Sequence, residues 1–343
     1  MENSTFNDSF FETTEAPFLV YSSYSMRQII AAMCTTTAIV GLIGNALVII
    51  AVRLSKKLRT VTNVFVINLS ISDLISCVCL PWEVVAVLGE DGWPLPQAEW
   101  LCAVTSIFII ISTGCSVTNL ALIALNRWVR ITKSPVLARR IYARRNIIFM
   151  VIFSWLMPLC VTLIPPLTGF GELGYEPRYS SCSWVKANPY SSHHSVIVGV
   201  FYFPIPLITI GFCYGSIFRY VVKTSRRMAQ HEVNSVSGLV SASDSSMRKN
   251  LWKRQVKVTK NLVYVVAAFV ICSTLFIFSF LPLGYDWSIR MTPYAIAIVY
   301  FNCITDPIIY ATSHPDFKEA FGYMIRCRWK DIPQSSASSR LSK

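Results

Sequence analysis

Seven long apolar stretches punctuate the chain, near residues 28–52, 62–88, 100–125, 147–167, 195–221, 258–284 and 292–312. Each is long enough to cross a bilayer core of about 30 Å, which takes roughly 20 helical residues. The first is uncharged from Ile29 to Val52. The second contains Asp73 and Glu83 and the seventh contains Asp306, yet apolar length persists on both sides of each acid. The runs are continuous rather than alternating, which predicts helices and not the strands of a membrane barrel. The expected architecture is an all-α membrane protein, a seven-transmembrane helix bundle over residues 28–312. Residues 1–27 are a polar tail, and the Ser-rich, basic segment 223–257 reads as a flexible loop.

Residues 313–343 form a second tail. Phe317, Phe321, Met324 and Ile325 fall there at helical spacing, with Lys318, Arg326 and Arg328 around them. That pattern predicts a short amphipathic helix lying on the inner leaflet of the membrane. Cys327 at its end is a candidate for palmitoylation.

Composition narrows the class. Of 343 residues, 53% are hydrophobic and 14% charged, against roughly 25% charged in an ordinary soluble domain. A disordered chain and a water-soluble enzyme are both disfavoured. The net charge of +13 would suit a nucleic-acid partner, but the position of the charges explains it otherwise. Of 31 Lys and Arg, 27 fall in the segments after spans one, three, five and seven; only Arg27, Arg178, Lys186 and Arg290 fall on the opposite side. This asymmetry predicts an external N-terminus and a cytoplasmic C-terminus, with no role for nucleic acid.

The tail up to Tyr24 has no basic region followed by a cleavage site, so the first span is expected to serve as its own insertion signal. Asn3 and Asn7 each begin an Asn-x-Ser/Thr triplet on the external side and are glycosylation candidates. Asn68 begins another inside span two, where it should remain unmodified. Of 11 cysteines, Cys102 and Cys182 both lie on the external side, where oxidation is permitted. They are the expected disulfide.

Intramembrane acids are functional candidates by default. Asp73 and Asp306 have no Lys or Arg nearby within the spans. They must stay protonated, accept many hydrogen bonds or bind a cation, with Ser112, Ser116 and Asn302 as further oxygen ligands. On span three, Ile109, Ser116 and Arg127 are separated by about two and three helical turns and share one face. That face would run from an outer cavity, past the acids, to a basic residue at the cytoplasmic edge.

Taken in order, these residues resemble the rhodopsin-like (class A) family of G-protein-coupled receptors over roughly 28–328. The matches are Gly44-Asn45, Leu69 to Leu74 around Asp73, Cys102, Asn126-Arg127-Trp128, Trp155, Pro206 with Tyr214, Phe276 with Pro282, and Asp306-Pro307-Ile308-Ile309-Tyr310. The resemblance implies a sodium pocket at Asp73, Ser112, Ser116, Asn302 and Asp306. It implies a G-protein coupling switch at Asn126, Arg127, Trp128, Tyr214 and Tyr310. It also implies a transmission core at Phe276 and Phe280, flanked by the helix-kinking Pro206 and Pro282. Departures from the family pattern are Asn126 for an acid, Trp128 for a Tyr and Phe280 for a Trp. Leu262 stands near where some relatives place an acid facing Arg127.

Ligand signals are mostly negative. Ile109 stands where amine receptors place an Asp, and Tyr300 where opsins carry the retinal Lys, so covalent retinal is excluded on chemistry. Gly92-Trp93 and Tyr175-Glu176-Pro177-Arg178 resemble the melatonin-receptor branch, with its Moody-like orphan relatives. The residues thought to hold melatonin are not matched: Pro165-Pro166 and Lys186 stand near those places. The expected ligand pocket is Ile109, Trp184, Lys186, Phe280 and Tyr300, taking a small lipid, acid or indole-like molecule. The resemblance implies a plasma-membrane receptor, not an enzyme, with no cofactor beyond an allosteric sodium ion. It also implies a heterotrimeric G protein, of the inhibitory class, and arrestin, receptor kinase and membrane lipid as partners. An ion-coupled transporter or channel through Asp73 and Asp306 is the rival, but no inverted repeat is evident. An intramembrane hydrolase would need catalytic motifs that the sequence lacks.

Overall fold

The computed structural model describes residues 24–89, 92–234, 267, 269–274, 285–332 and 334. Helices dominate: α1 (Tyr24–Leu54), α2 (Val61–Leu88), α3 (Glu99–Thr132), α4 (Pro135–Ile141) and α5 (Arg144–Leu167). A two-stranded hairpin follows, β1 (Leu173–Glu176) and β2 (Ser181–Trp184). Next come α6 (Ser191–Tyr202), α7 (Pro204–Asn234), α8 (Tyr285–Tyr300), α9 (Asn302–Ser313) and α10 (Pro315–Ile325). Six segments among the described residues are long and apolar enough to span a membrane: Tyr24–Leu54, Val61–Leu88, Pro96–Thr132, Arg144–Leu167, Ser191–Ser225 and Met291–Thr312. The sixth sequence-predicted span, 258–284, lies outside the described residues except for 267 and 269–274, which are helical.

Two predicted spans are interrupted. Span five breaks at Phe203 between α6 and α7, because Pro204 and Pro206 lack the N–H groups that would bond to the carbonyls one turn before. Span seven breaks at Phe301 between α8 and α9. Within α9, Pro307 cannot bond to the carbonyl of Cys303. That carbonyl instead accepts from Asn45 Nδ2 of α1 at 2.7 Å. The neighbouring Gly44 lets α1 approach so closely that a Cβ there would sit 2.7 Å from Pro307 Cγ. One dipeptide of α1 therefore packs against the proline and satisfies the backbone group it frees.

The long α3 is the central pillar, with α2, α5, α7 and both strands packed around it. Asn68 of α2 ties three helices together. Its Nδ2 donates to Asn119 Oδ1 and to Ser154 Oγ, both at 2.9 Å, and its Oδ1 accepts from Trp155 Nε1 at 2.8 Å. α5 presents Ile148, Phe149, Ile152, Phe153 and Leu156 outward, as a lipid-facing helix does.

The loop after span five and the C-terminal tail differ from expectation. The segment read as a loop from residue 223 continues as α7 through Asn234, since it lacks Gly and Pro and carries good helix formers such as Met228, Ala229 and Gln230. The helix after His314 forms, but its apolar face turns to the protein. Phe317, Phe321 and Met324 are buried in the main core, while Ile325 is exposed. Lys57, from the turn between α1 and α2, pairs with Asp316 at 2.8 Å and Glu319 at 3.1 Å, holding α10 in place. Ile325 at the end of this helix and Cys327 and Trp329 just beyond it are exposed. Residues 1–23, including Asn3 and Asn7, and residues 235–257 lie outside the described residues.

Candidate ligand and signalling sites

At one end of the bundle the hairpin crosses over α3. Tyr175 pairs with Cys182 across the strands, and Cys182 is bonded to Cys102 near the start of α3. The hairpin was not evident from the sequence, because strands of four residues carry too little periodicity to register. Its placement closes one wall of a cavity of about 330 Å³, within the usual range of small-ligand sites. Ile109, Trp184 and Tyr300, three of the predicted pocket residues, line it together with Thr113, Tyr202 and Glu83.

Trp184 is held in place rather than free to turn. Its Nε1 donates to His194 Nδ1 at 3.2 Å, and His194 Nε2 lies 3.1 Å from the Val161 carbonyl. His194 lay just outside the predicted start of span five, so sequence reading missed it. Lys186 lies off this cavity. Its Nζ donates to Ser192 Oγ at 3.1 Å and its backbone N–H to Glu176 Oε2 at 2.6 Å. Burial lowers its pKa, with Glu176 opposing and Arg178 adding to the shift. The reason for the displacement is the hairpin, whose Glu176 draws the loop back over β1. Phe280 lies outside the described residues, as do Phe276 and Pro282; Pro206 sits in the first turn of α7.

Deeper along the same face of α3 is a second cavity of about 30 Å³, lined by Asp73, Ser76, Ser116, Asn302, Asp306 and Phe269, among others. Ser116 Oγ donates to Asp73 Oδ1 at 2.8 Å. Asp73 Oδ2 and both amide atoms of Asn302 have no hydrogen-bond partner among the described residues. Two buried carboxyls around a small polar space, one of them with an unpaired oxygen, are costly unless protonated or compensated. Carboxylate, hydroxyl and amide oxygens are hard donors and fit a small hard cation. The space is sufficient for an ion or a single water. Ser112 stands beside this cavity, not in it: it shares a 2.7 Å hydrogen bond with Ser76, which does line it.

At the opposite end of α3, Arg127 makes no ion pair among the described residues, and its Nε lacks a hydrogen-bond partner. The hydroxyls of Tyr214 on α7 and Tyr310 on α9 are likewise buried and without a hydrogen-bond partner among the described residues. Tyr310 stacks on Phe317 of α10 with ring centroids 5.3 Å apart. Asn126 is turned away from its neighbour and accepts from Thr62 Oγ1 of α2 at 2.7 Å. Trp128 packs edge-on against Phe212 of α7 at 5.6 Å, under the Lys133 ammonium at 4.9 Å. Predicted site residues thus fall into three groups along one helix: a large cavity, a small polar cavity and an unpaired basic end.

Comparison with known proteins accounts for this arrangement. The model of the 7 transmembrane receptor (rhodopsin family) matches residues 44–310. Melatonin receptor type 1B-B of Danio rerio is 28% identical over 88% of this chain and 82% of its own length. Melatonin receptor type 1A of Phodopus sungorus is 29% identical over 83% and 76%. Melanopsin-A of Danio rerio is 29% identical over 87% of this chain but only 50% of its own length. In fold, the crystal structure of squid rhodopsin superposes with a TM-score of 0.76 at 21% identity, covering 93% of this chain and 90% of that one. The chain belongs to the rhodopsin family of seven-transmembrane receptors, and it is a receptor rather than an enzyme.

Proposed function

We propose that this receptor lies in the plasma membrane, N-terminus outside, and converts a small external ligand into activation of an inhibitory-class heterotrimeric G protein. The alignment of the three groups on α3 carries this reading. The ligand occupies the cavity beneath the disulfide-linked hairpin, against Ile109, Trp184 and Tyr300. A ligand shifts the resting equilibrium only by its differential affinity for the two states, so the contacts that count are those remade when the bundle opens at its Arg127 end. Arg127, Tyr214 and Tyr310 are suited to meet an incoming G-protein segment because their polar groups are not tied to one another.

A sodium ion at Asp73, Ser116, Asn302 and Asp306 would neutralise the paired acids and favour the closed arrangement. Arrestin and receptor kinase act on the same cytoplasmic face. Asn3 and Asn7 carry glycans, and Cys327, exposed beside Ile325 and Trp329, carries a lipid that extends the anchor of α10. Tyr300 in the place of a retinal lysine argues against a photoreceptor. The test is nucleotide exchange in proteoliposomes with purified inhibitory, stimulatory and phospholipase-coupled G proteins. Exchange on the inhibitory protein is expected; ion flux without G protein would favour the transporter reading instead.

A further inference from the structure

The proposed ligand cavity contains one feature that the sequence reading did not use. Glu83, on α2, is a carboxylate only 2% exposed, two residues beyond the Pro81 that interrupts the α2 ladder. It lines the 330 Å³ cavity, and also a small adjoining space of about 10 Å³ between α1, α2 and α8. Tyr300 lines both spaces with it. One carboxylate oxygen, Oε2, accepts the backbone N–H of Cys182 at 3.1 Å. The acid is therefore oriented by the disulfide-bonded strand and held at the seam between hairpin and bundle.

The rest of the lining is apolar or neutral. Ile109, Ile110, Val198, Phe203, Ile296 and Val299 are among its apolar residues. Among the described residues that line the cavity, Glu83 is the one charged side chain, and no Lys, Arg or His joins it. Lys186, the cation that would have suited an acidic ligand, is engaged outside with Ser192. A lone buried carboxylate is strongly disfavoured when ionised unless a cation meets it. A ligand anion would instead face it with like charge.

We propose that Glu83 is the ligand's charge-recognition residue, and that the agonist is a small amphiphilic cation: a protonated amine on an aromatic or aliphatic body. The ammonium group pairs with Glu83 beside the Tyr300 ring, and the apolar body fills the space between Ile109, Phe203 and Val299. This assignment rests on the receptor reading above and replaces the expectation of an acidic or lipid ligand. The usual amine-binding place on α3 holds Ile109, so the acid is supplied from α2 instead. Because Cys182 donates to the same carboxylate, ligand binding is coupled to the position of the hairpin.

The experiment uses the full chain in nanodiscs, with phenethylamine and octylamine as probes. Their N-acetylated counterparts remove the charge at nearly constant shape, and octanoate reverses it. Binding is read by thermal unfolding shifts and saturation-transfer NMR. Both amines are expected to bind and to lose at least ten-fold in affinity on acetylation. Glu83→Gln, which keeps an acceptor for the Cys182 N–H, should remove the preference for the amine without lowering the melting temperature of the free protein by more than a few degrees. No amine binding at millimolar concentration, equal binding of acetylated probes, or a preference for octanoate overturns the proposal in the unmodified protein. Nucleotide exchange on added G protein is measured on the same samples. Exchange without amine binding refutes the cation assignment alone; amine binding without exchange in any G-protein class refutes the receptor reading alone.

Discussion

Thr62 of α2 donates its hydroxyl hydrogen to Asn126 Oδ1 of α3 at 2.7 Å. The residue before Arg127 is thereby tied to the neighbouring helix, while Asn126 Nδ2 has no hydrogen-bond partner among the described residues. An acid at this place could accept from Thr62 and attract Arg127 together; an amide cannot supply the charge. The resting position of Arg127 is set here by packing and burial more than by pairing.

Basal activity follows from that. Charged partners bind a guanidinium roughly twice as strongly as neutral ones, and a missing restraint of ~1 kcal/mol raises a rare active state about five-fold. Asn126→Asp is expected to lower ligand-free nucleotide exchange at matched surface density, and Arg127→Ala to abolish coupling. Basal exchange that is equal or higher in Asn126→Asp would mean that contacts elsewhere hold the resting state.

Sodium should oppose activation. If a cation sits between Asp73 and Asp306 in the closed state, linkage requires agonist to weaken its binding by the same factor as it weakens agonist binding. Replacing sodium by a bulky organic cation at constant ionic strength should raise basal exchange, and Asp73→Asn should remove the dependence. A sodium response that survives in Asp73→Asn would indicate protonated acids in place of an ion site.

The contact of α1 with α9 is a stability prediction. Asn45→Ala leaves the Cys303 carbonyl, freed by Pro307, without its donor. Burying an unpaired carbonyl costs about 1–3 kcal/mol, so thermal unfolding in detergent should move several degrees downward. Gly44→Ala should act similarly by steric conflict with Pro307. Unfolding curves that coincide with the parent would show that the helices part and re-pack at little cost.

The Cys102–Cys182 bridge closes a separation of 80 residues and fixes the strand that contacts Glu83. Cys102→Ala and Cys182→Ala should each reduce surface delivery and disorder the ligand cavity. Normal surface signalling in both variants would show that hairpin pairing alone forms the entrance.

Docking of α10 is electrostatic as well as apolar. Burial alone would lower the pKa of Lys57, but Asp316 and Glu319 raise it on balance. A raised pKa means the stabilisation is complete below the unfolded value of about 10.4 and is lost only as pH rises through the folded one. Neutral-range pH should therefore leave the tether intact. Lys57→Ala should increase hydrogen exchange in α10, by the equivalent of about 1 kcal/mol or less for a partly exposed pair. Unchanged protection would assign the docking to Phe317 and Phe321.

The sequence by itself determined the class of the molecule, since apolar length is a one-dimensional property imposed by the bilayer; its basic asymmetry is what the proposed sidedness rests on. It also identified Asp73, Ser116, Asn302 and Asp306 as one group, because acids in apolar helices must find partners in the bundle interior, and they meet around one cavity. What only the tertiary structure decided is which way each polar group turns. Helical spacing places Asn126 beside Arg127, but the rotation of α2 against α3 gives its oxygen to Thr62. The same periodicity marks Phe317, Phe321 and Met324 as an apolar face without saying that protein, and not lipid, covers it. The positions of Lys186 and Glu83 relative to the cavity were decided in a like way. The hairpin, joined through Cys182 to Cys102 80 residues back along the chain, holds Lys186 off the cavity through Glu176, while Glu83 of α2 lines it.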